Sequence, residues 1–264
     1  MHKLRVFCAW EFQIDVDVDE PTDLYVDTIN VKSIDGVKKI LLLFEPNEIK
    51  HLTNMVIKHH KNFDYILTHD EHILNTCDNT ILFEFGSTWI NDYEYPEKTF
   101  EVSTLVGFKR QTVGHNLRHQ LWLKQGEITT PKKFFISRHS NGLININNNQ
   151  MLGKKKDPLF NSQFHIVIEN VNRKYWFTEK LIDTIKTKTV PIYLGCPNIN
   201  EYFNTDGMII VNSVEEIINV CNSLTETDYI KRLPILEENY EKGKKFENLQ
   251  ERVKNKIIEL INDD

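Results

Sequence analysis

An α/β fold made of two consecutive Rossmann-like domains is what this 264-residue sequence predicts. Three observations carry it. Short apolar runs of strand length alternate with segments whose apolar residues recur at helical spacing, the pattern of a parallel sheet crossed by helices. The pattern pauses over residues 89–98, which hold Pro96 and little periodicity, and then restarts. The hydrophobic share of 40% supplies a core for both halves, and no long low-complexity stretch interrupts it. The expected division is 1–96 and 97–264, with a cleft between the two. A single doubly wound sheet is the alternative.

Residues 4–9 form the first expected strand. Residues 15–20, D-V-D-V-D-E, alternate at period two, as a strand with one solvated face does. Residues 39–44, K-I-L-L-L-F, are a continuous apolar run expected of a strand buried on both faces. A helix follows with Ile49, Leu52, Met55 and Val56 on one face. A strand at 65–67, a helical turn at 71–74 and a strand at 80–85 complete the first half.

In the second half, strands are expected at 100–106, 133–137, 164–168, 190–194 and 208–211. A helix over 114–124 turns Leu117, Leu121 and Trp122 inward, and another spans 178–186. Ser213 and Glu216 spell a capping box for a helix reaching Leu224. Residues 237–261 read as one or two charged amphipathic helices of the second domain. The Asn-rich run at 145–149 reads as a loop tip.

The formal net charge of -6 provides no global positive field, so nucleic acid is not an expected partner, and an anion needs a local cluster of basic groups. The four cysteines are scattered without CxxC spacing, which fits a reducing, cytoplasmic compartment and neither a zinc site nor a disulfide framework. Residues 1–10 show no signal-peptide pattern, and no segment approaches the length of a membrane-spanning helix, so no integral membrane segment is expected.

The segment that carries chemistry runs from Phe164 to Asn200. It reads as a buried strand ending at Glu169 and Asn170, a polar loop, a helix opening on Thr178, Glu179 and Lys180, and a strand closed by Gly195 and Pro197. Ligands bind outside the carboxyl ends of such strands, where helix N-termini point their N–H groups. Thr178 caps the helix, Glu179 is placed to accept ribose or sugar hydroxyls, and Lys180 to reach a diphosphate. An ordinary capped helix is the alternative. Lysine in a first turn opposes the helix dipole, which hints at a compensating anion.

The same run resembles the donor-binding motif of family 10 glycosyltransferases, the α1,3/α1,4-fucosyltransferases. The match lies in Ile168-Glu169-Asn170, in Trp176-Phe177-Thr178-Glu179-Lys180 and in Val190-Pro191-Ile192-Tyr193-Leu194-Gly195-Cys196-Pro197, about thirty-five residues with spacing preserved. Trp176 stands where the family usually has Tyr. The resemblance implies a GT-B type fold of two Rossmann-like domains, 1–96 on the acceptor side and 97–264 holding the nucleotide sugar. It implies inverting transfer from GDP-fucose to a glycan hydroxyl, with no obligatory metal or other cofactor beyond a stimulatory divalent ion. A nucleotide-sugar donor and an oligosaccharide acceptor are the partners it implies.

By that resemblance Arg118, in Gly114-His115-Asn116-Leu117-Arg118, neutralises the donor phosphates, with Lys109 and Arg110 as alternatives. Asn170, Trp176 and Glu179 hold base, ribose or sugar, with Trp176 supplying a ring for stacking. Glu45, in Leu43-Phe44-Glu45-Pro46-Asn47-Glu48, is the general base, and Glu48 the alternative. Ser137 and Arg138 line the same cleft. Three readings compete with this one: another UDP- or GDP-linked sugar as donor, a metal-dependent glycosyltransferase using Asp15, Asp17 or Asp19, and a non-catalytic nucleotide- or carbohydrate-binding protein.

Overall fold

The computed structural model describes residues 2–8, 11–32, 34–140 and 150–262. The Asn-rich run at 145–149 lies outside the described residues. The chain divides into two compact units, each built on a parallel sheet. This is the α/β fold of two Rossmann-like units that the sequence predicts.

The first unit comprises Met1–Phe85, Lys174–Trp176 and Asn248–Asp264. Its strands are β1 (His2–Lys3), β2 (Arg5–Cys8), β3 (Asp17–Val18), β4 (Thr22–Val26), β5 (Lys38–Leu42), β6 (Tyr65–Thr68) and β7 (Thr80–Leu82). The main sheet has the order β2-β4-β5-β6-β7, all parallel, while β1 and β3 form a small antiparallel ribbon. Val16 and Val18 are buried between exposed Asp15, Asp17 and Asp19, so the period-two reading of the acidic stretch gives its faces, although only two residues pair as strand.

The fully buried strand β4 escapes the sequence reading because Thr22 and Asp23 leave it only three apolar residues, Leu24, Tyr25 and Val26. The Asp23 carboxylate is buried against the Arg5 guanidinium at 2.6 and 2.9 Å. The single helix expected after β5 is two, α1 (Asn47–Lys50) and α2 (Thr53–His59), split where His51 adopts φ +56°. The break turns Met55 out to solvent and leaves Val56 as the fully buried apolar residue of α2. Helix α3 (Glu71–Thr76) is capped by Asp70, which accepts from the His72 and Ile73 N–H groups at 2.9 and 3.3 Å.

The second unit comprises Gly86–Arg173 and Phe177–Glu247. Its strands are β8 (Thr99–Val106), β9 (Lys132–Ile136), β10 (Gln150–Met151), β11 (Ser162–Ile168), β12 (Val190–Leu194) and β13 (Ile209–Ile210). They run in the order β10-β9-β8-β11-β12-β13, all parallel. From β8 the chain winds outward in one direction through β9 and β10. It then returns to β11 and winds the other way through β12 and β13. The reversal puts the topological switch between β8 and β11, where doubly wound sheets place ligands.

Helices α4 (Val113–Lys124), α5 (Glu179–Lys186), α6 (Val214–Ser223) and α7 (Glu226–Gly243) complete this unit. Leu121 and Trp122 of α4 pack with Val102, Ile136, Ile166 and Ile192 in one apolar cluster, each such burial contributing ~1.5–3 kcal/mol. The expected capping box at α6 is half present. Ser213 Oγ accepts the Glu216 N–H at 3.1 Å, but the Glu216 carboxylate reaches past Ser213 to the Asn212 N–H at 2.7 Å.

The last helix, α8 (Leu249–Asn262), buries Val253, Ile257 and Leu260. That one-sided stripe packs with Leu24, Leu42 and Phe44 in the core of the first unit. The charged helices near the C-terminus, expected together in the second domain, are therefore shared: α7 stays with the second sheet and α8 joins the first.

Candidate active site

At the switch point of the second unit, α4 follows β8 and α5 follows β11, so both helices present their N-terminal ends beside the carboxyl ends of those strands. Gly114 makes this possible for α4. A Cβ there would lie 1.7 Å from the Glu169 carbonyl oxygen, so only glycine lets the helix meet the end of β11, where its N–H donates to the Asn170 carbonyl at 2.9 Å. One turn on, the Arg118 guanidinium donates to the Ile168 carbonyl and to Asn170 Oδ1, the latter at 2.7 Å. Burial lowers Arg118 to about 10, with Glu169 and Glu179 opposing, which leaves it cationic at neutral pH.

Across β11 from α4, Glu169 ties the strand to α5. Its Oε1 accepts the Thr178 N–H and its Oε2 the Thr178 hydroxyl, both at 2.8 Å. Thr178 in turn caps α5, its Oγ1 accepting the Lys180 N–H at 3.3 Å. The Lys180 ammonium stands 3.1 Å from Thr178 Oγ1, 3.2 Å from Glu179 Oε1 and 3.8 Å from Glu169 Oε2, and its side chain keeps 27% of its surface exposed.

Burial pushes Glu169 up against the pull of Lys180. Burial acts on Glu179 in the same sense, but Lys180 and Lys156 outweigh it and hold that carboxyl at about 2. Burial, with Arg118 and Lys180 nearby, keeps His115 neutral, lowered to about 4.

Arg118, Asn170, Thr178, Glu179 and Lys180 are thus gathered at one place in the second unit. Ser137 and the exposed Arg138 follow β9, two strands from β11, where Ser137 donates its N–H to the Val106 carbonyl at 2.8 Å and Arg138 meets His139. Lys109 is exposed in the loop after β8, its carbonyl accepting from the buried His119 ring at 3.2 Å.

Trp176 takes a different place. It belongs to the first unit and is 1% exposed, its indole N–H donating to the Phe44 carbonyl at 3.3 Å and its ring lying beside His69. The ring is spent on that core and presents no open face for stacking.

In the first unit, Glu45 follows β5 in a partly buried position. The buried Asp27 carboxylate fixes its backbone, accepting the Phe44 and Glu45 N–H groups at 2.9 and 3.1 Å. Asp27 itself sits at φ +50°. Glu48 is partly buried in the first turn of α1. Asp15 and Asp17 both pair with Lys3, at 2.8 and 3.1 Å. No group of three or more metal-ligating side chains occurs among the described residues.

Two further participants were not legible in the sequence. Glu169 reads as a strand terminus, yet it is the tie that positions the cap of α5. Lys156 looks like one of three solvated lysines at 154–156, but it lies half-buried 3.0 Å from Asp183 Oδ2 and 3.7 Å from Glu179 Oε1.

No protein-family model matches the sequence, and no curated protein does. Solved structures do. An α1,3-fucosyltransferase with GDP is 17% identical, with 84% of this chain and 71% of that one covered and a TM-score of 0.53. The same kind of enzyme with GDP-fucose is 15% identical, with coverage of 83% and 69% and a TM-score of 0.51. A pneumococcal O-GlcNAc transferase, GtfA, in complex with UDP and GlcNAc is 10% identical, with coverage of 92% and 57% and a TM-score of 0.51. These likenesses are of fold, and the fold is the GT-B type found in glycosyltransferases. No helix among the described residues is long and apolar enough to cross a membrane.

Proposed function

We propose that the chain is an inverting glycosyltransferase of fucosyltransferase-like type, taking a sugar from a nucleoside-diphosphate donor, GDP-fucose foremost, to a hydroxyl of a glycan. The observation that carries this reading is the cradle at the β8/β11 switch, where Arg118 and Lys180 stand beside the capped N-terminus of α5. The family 10 motif over the same residues and the glycosyltransferase fold support it.

In this reading Lys180 and Arg118 stabilise the charge that develops on the departing diphosphate, without an obligatory metal. Glu179 and Asn170 accept from donor hydroxyls or base. Glu45 takes the proton from the acceptor hydroxyl as its oxygen attacks the anomeric carbon, with Glu48 as the alternative base. One direct displacement inverts the anomeric centre. The buried position of Trp176 removes it from the stacking role its place in the motif suggests.

A UDP-linked donor is the second reading, favoured by the fold shared with a UDP-bound O-GlcNAc transferase. A metal-dependent transfer through Asp15 and Asp17 is disfavoured, because Lys3 already engages both carboxylates. A thermal-shift screen of GDP, UDP, CMP and their sugar conjugates tests the proposal. Stabilisation by a nucleoside diphosphate that is lost in Lys180→Ala supports it, and stabilisation that persists unchanged in that variant refutes the phosphate role of Lys180.

A further inference from the structure

Beside the proposed cradle lies one cation to which neither the motif nor the mechanism assigns a role. Lys156 precedes the short turn leading into β11, and its side chain is only 15% exposed. Its ammonium sits 3.0 Å from Asp183 Oδ2, 3.7 Å from Glu179 Oε1 and 4.1 Å from the centre of the Trp89 ring. Asp183, one turn beyond Glu179 on α5, is fully buried. Its other oxygen accepts the Thr88 hydroxyl and the Trp89 N–H, each at 2.8 Å. Asp183 therefore fastens residues 88 and 89, the aromatic ring and the ammonium to the flank of the helix.

Taking charges out of water is costly unless the partners are well placed, so this ammonium is confined to the space between its two buried carboxylates. Glu179 Oε1 consequently meets two cations, Lys156 at 3.7 Å and Lys180 at 3.2 Å. A carboxylate with a single ammonium beside it swings toward that partner. One whose single oxygen is shared by two ammonium groups from different segments keeps a fixed orientation.

We infer that Lys156 is a positioning residue that, anchored by Asp183, orients the Glu179 carboxylate to accept the ribose hydroxyls of a bound nucleoside diphosphate. The inference rests on the donor-binding reading above and adds to it the residue pair that sets hydroxyl recognition.

The test is calorimetric titration of the full chain with GDP and with 2′,3′-dideoxy-GDP, or the UDP pair if uridine is the base bound. Wild type prefers the hydroxylated nucleotide by about tenfold or more, the worth of hydrogen bonds to a charged acceptor, and Glu179→Gln loses most of that preference. Lys156→Met brings the preference toward unity while leaving affinity for the dideoxy nucleotide unchanged, and Lys156→Arg retains it. The double variant Lys156→Met/Asp183→Asn removes the buried ion pair as a unit, so it reads the same preference if the single variant does not fold, and it stays unselective.

A preference that survives in Lys156→Met, or returns in the double variant, overturns the inference and reduces Lys156 to a counter-ion for Asp183. Equal weakening of both nucleotides in Lys156→Met also overturns it, because Lys156 then touches the phosphates. A hydroxyl preference intact in Glu179→Gln defeats the inference while leaving the donor reading standing. Wild type that binds neither GDP nor UDP defeats the donor reading itself.

Discussion

Gly114→Ala is the substitution that most sharply tests how the fold builds the cradle. The added Cβ would lie 1.7 Å from the Glu169 carbonyl oxygen, 2.7 Å from its carbon and 2.8 Å from the Asn170 Cα, all backbone atoms that cannot rotate away. To reach ordinary van der Waals contact, the first turn of α4 must retreat by roughly 1.5–2 Å, an overpacking strain of ~1–3 kcal/mol. The retreat breaks the Gly114 N–H bond to the Asn170 carbonyl, worth ~1 kcal/mol. It also pulls Arg118 from the Ile168 carbonyl and Asn170 Oδ1, at ~1.5–3 kcal/mol for bonds made by a charged group.

Alanine's better helix propensity returns at most ~1 kcal/mol. The expected net loss is about 3–5 kcal/mol, read as a lowered urea midpoint by far-UV circular dichroism. Gly126→Ala, with nothing within 4 Å of its would-be Cβ, is the control and shifts stability by less than ~0.5 kcal/mol. A Gly114→Ala variant as stable as that control would refute the close approach of α4 to β11.

Three further outcomes follow from the geometry. Asp27→Ala leaves the buried Phe44 N–H and the partly buried Glu45 N–H without their carboxylate and lowers stability by ~2–4 kcal/mol in the same assay. Asp27→Asn, which keeps an acceptor and tolerates positive φ, costs less than half as much. Trp176→Phe drops the bond to the Phe44 carbonyl and costs ~1 kcal/mol of stability. It leaves nucleotide affinity in calorimetry unchanged, whereas a stacking role would lower that affinity.

The third concerns pH. His165 is buried against Ser103 Oγ at 2.7 Å, and burial lowers it to about 3. Its folded pKa lies below the unfolded value of about 6.5, so the unfolded chain binds the extra proton between those values. The stability it contributes is therefore complete above pH ~6.5 and lost progressively as pH falls toward 3. His165→Gln flattens the fall in urea midpoint between pH 6.5 and 4, and an unaltered slope would remove His165 as a cause.

Most of the second unit was legible because its strands are buried on both faces and read as largely apolar runs, as in 190–194. Where a buried ion pair takes up the start of a short strand, the signal fails. Strand β4 is hidden by Asp23, whose charge is matched by Arg5, a residue eighteen positions away that no local pattern reveals. The break between α1 and α2 comes from a single positive φ at His51 in an otherwise helical spacing.

At the site, Lys180, Glu179 and Thr178 stand out because they are consecutive at a helix start. Arg118 is one helical turn past a glycine whose role only the packing discloses. Lys156 and Asp183 could not be paired from sequence, since their contact depends on how residues 88 and 89 lie against α5. Trp176 shows the opposite failure: an aromatic residue at a ligand-binding spacing that the tertiary structure uses for core packing instead.

The central claim is that the end of β11 and the start of α5 hold the diphosphate of a sugar donor through Lys180 and Arg118. Isothermal titration of GDP and UDP into wild type and into Lys180→Ala, with urea curves showing both folded, tests it most directly. Wild type binds one of the two nucleotides, and the variant binds it at least about tenfold more weakly, as expected from loss of a charge-assisted phosphate contact. Equal affinity in the two proteins, or no binding of either nucleotide by wild type, contradicts the claim.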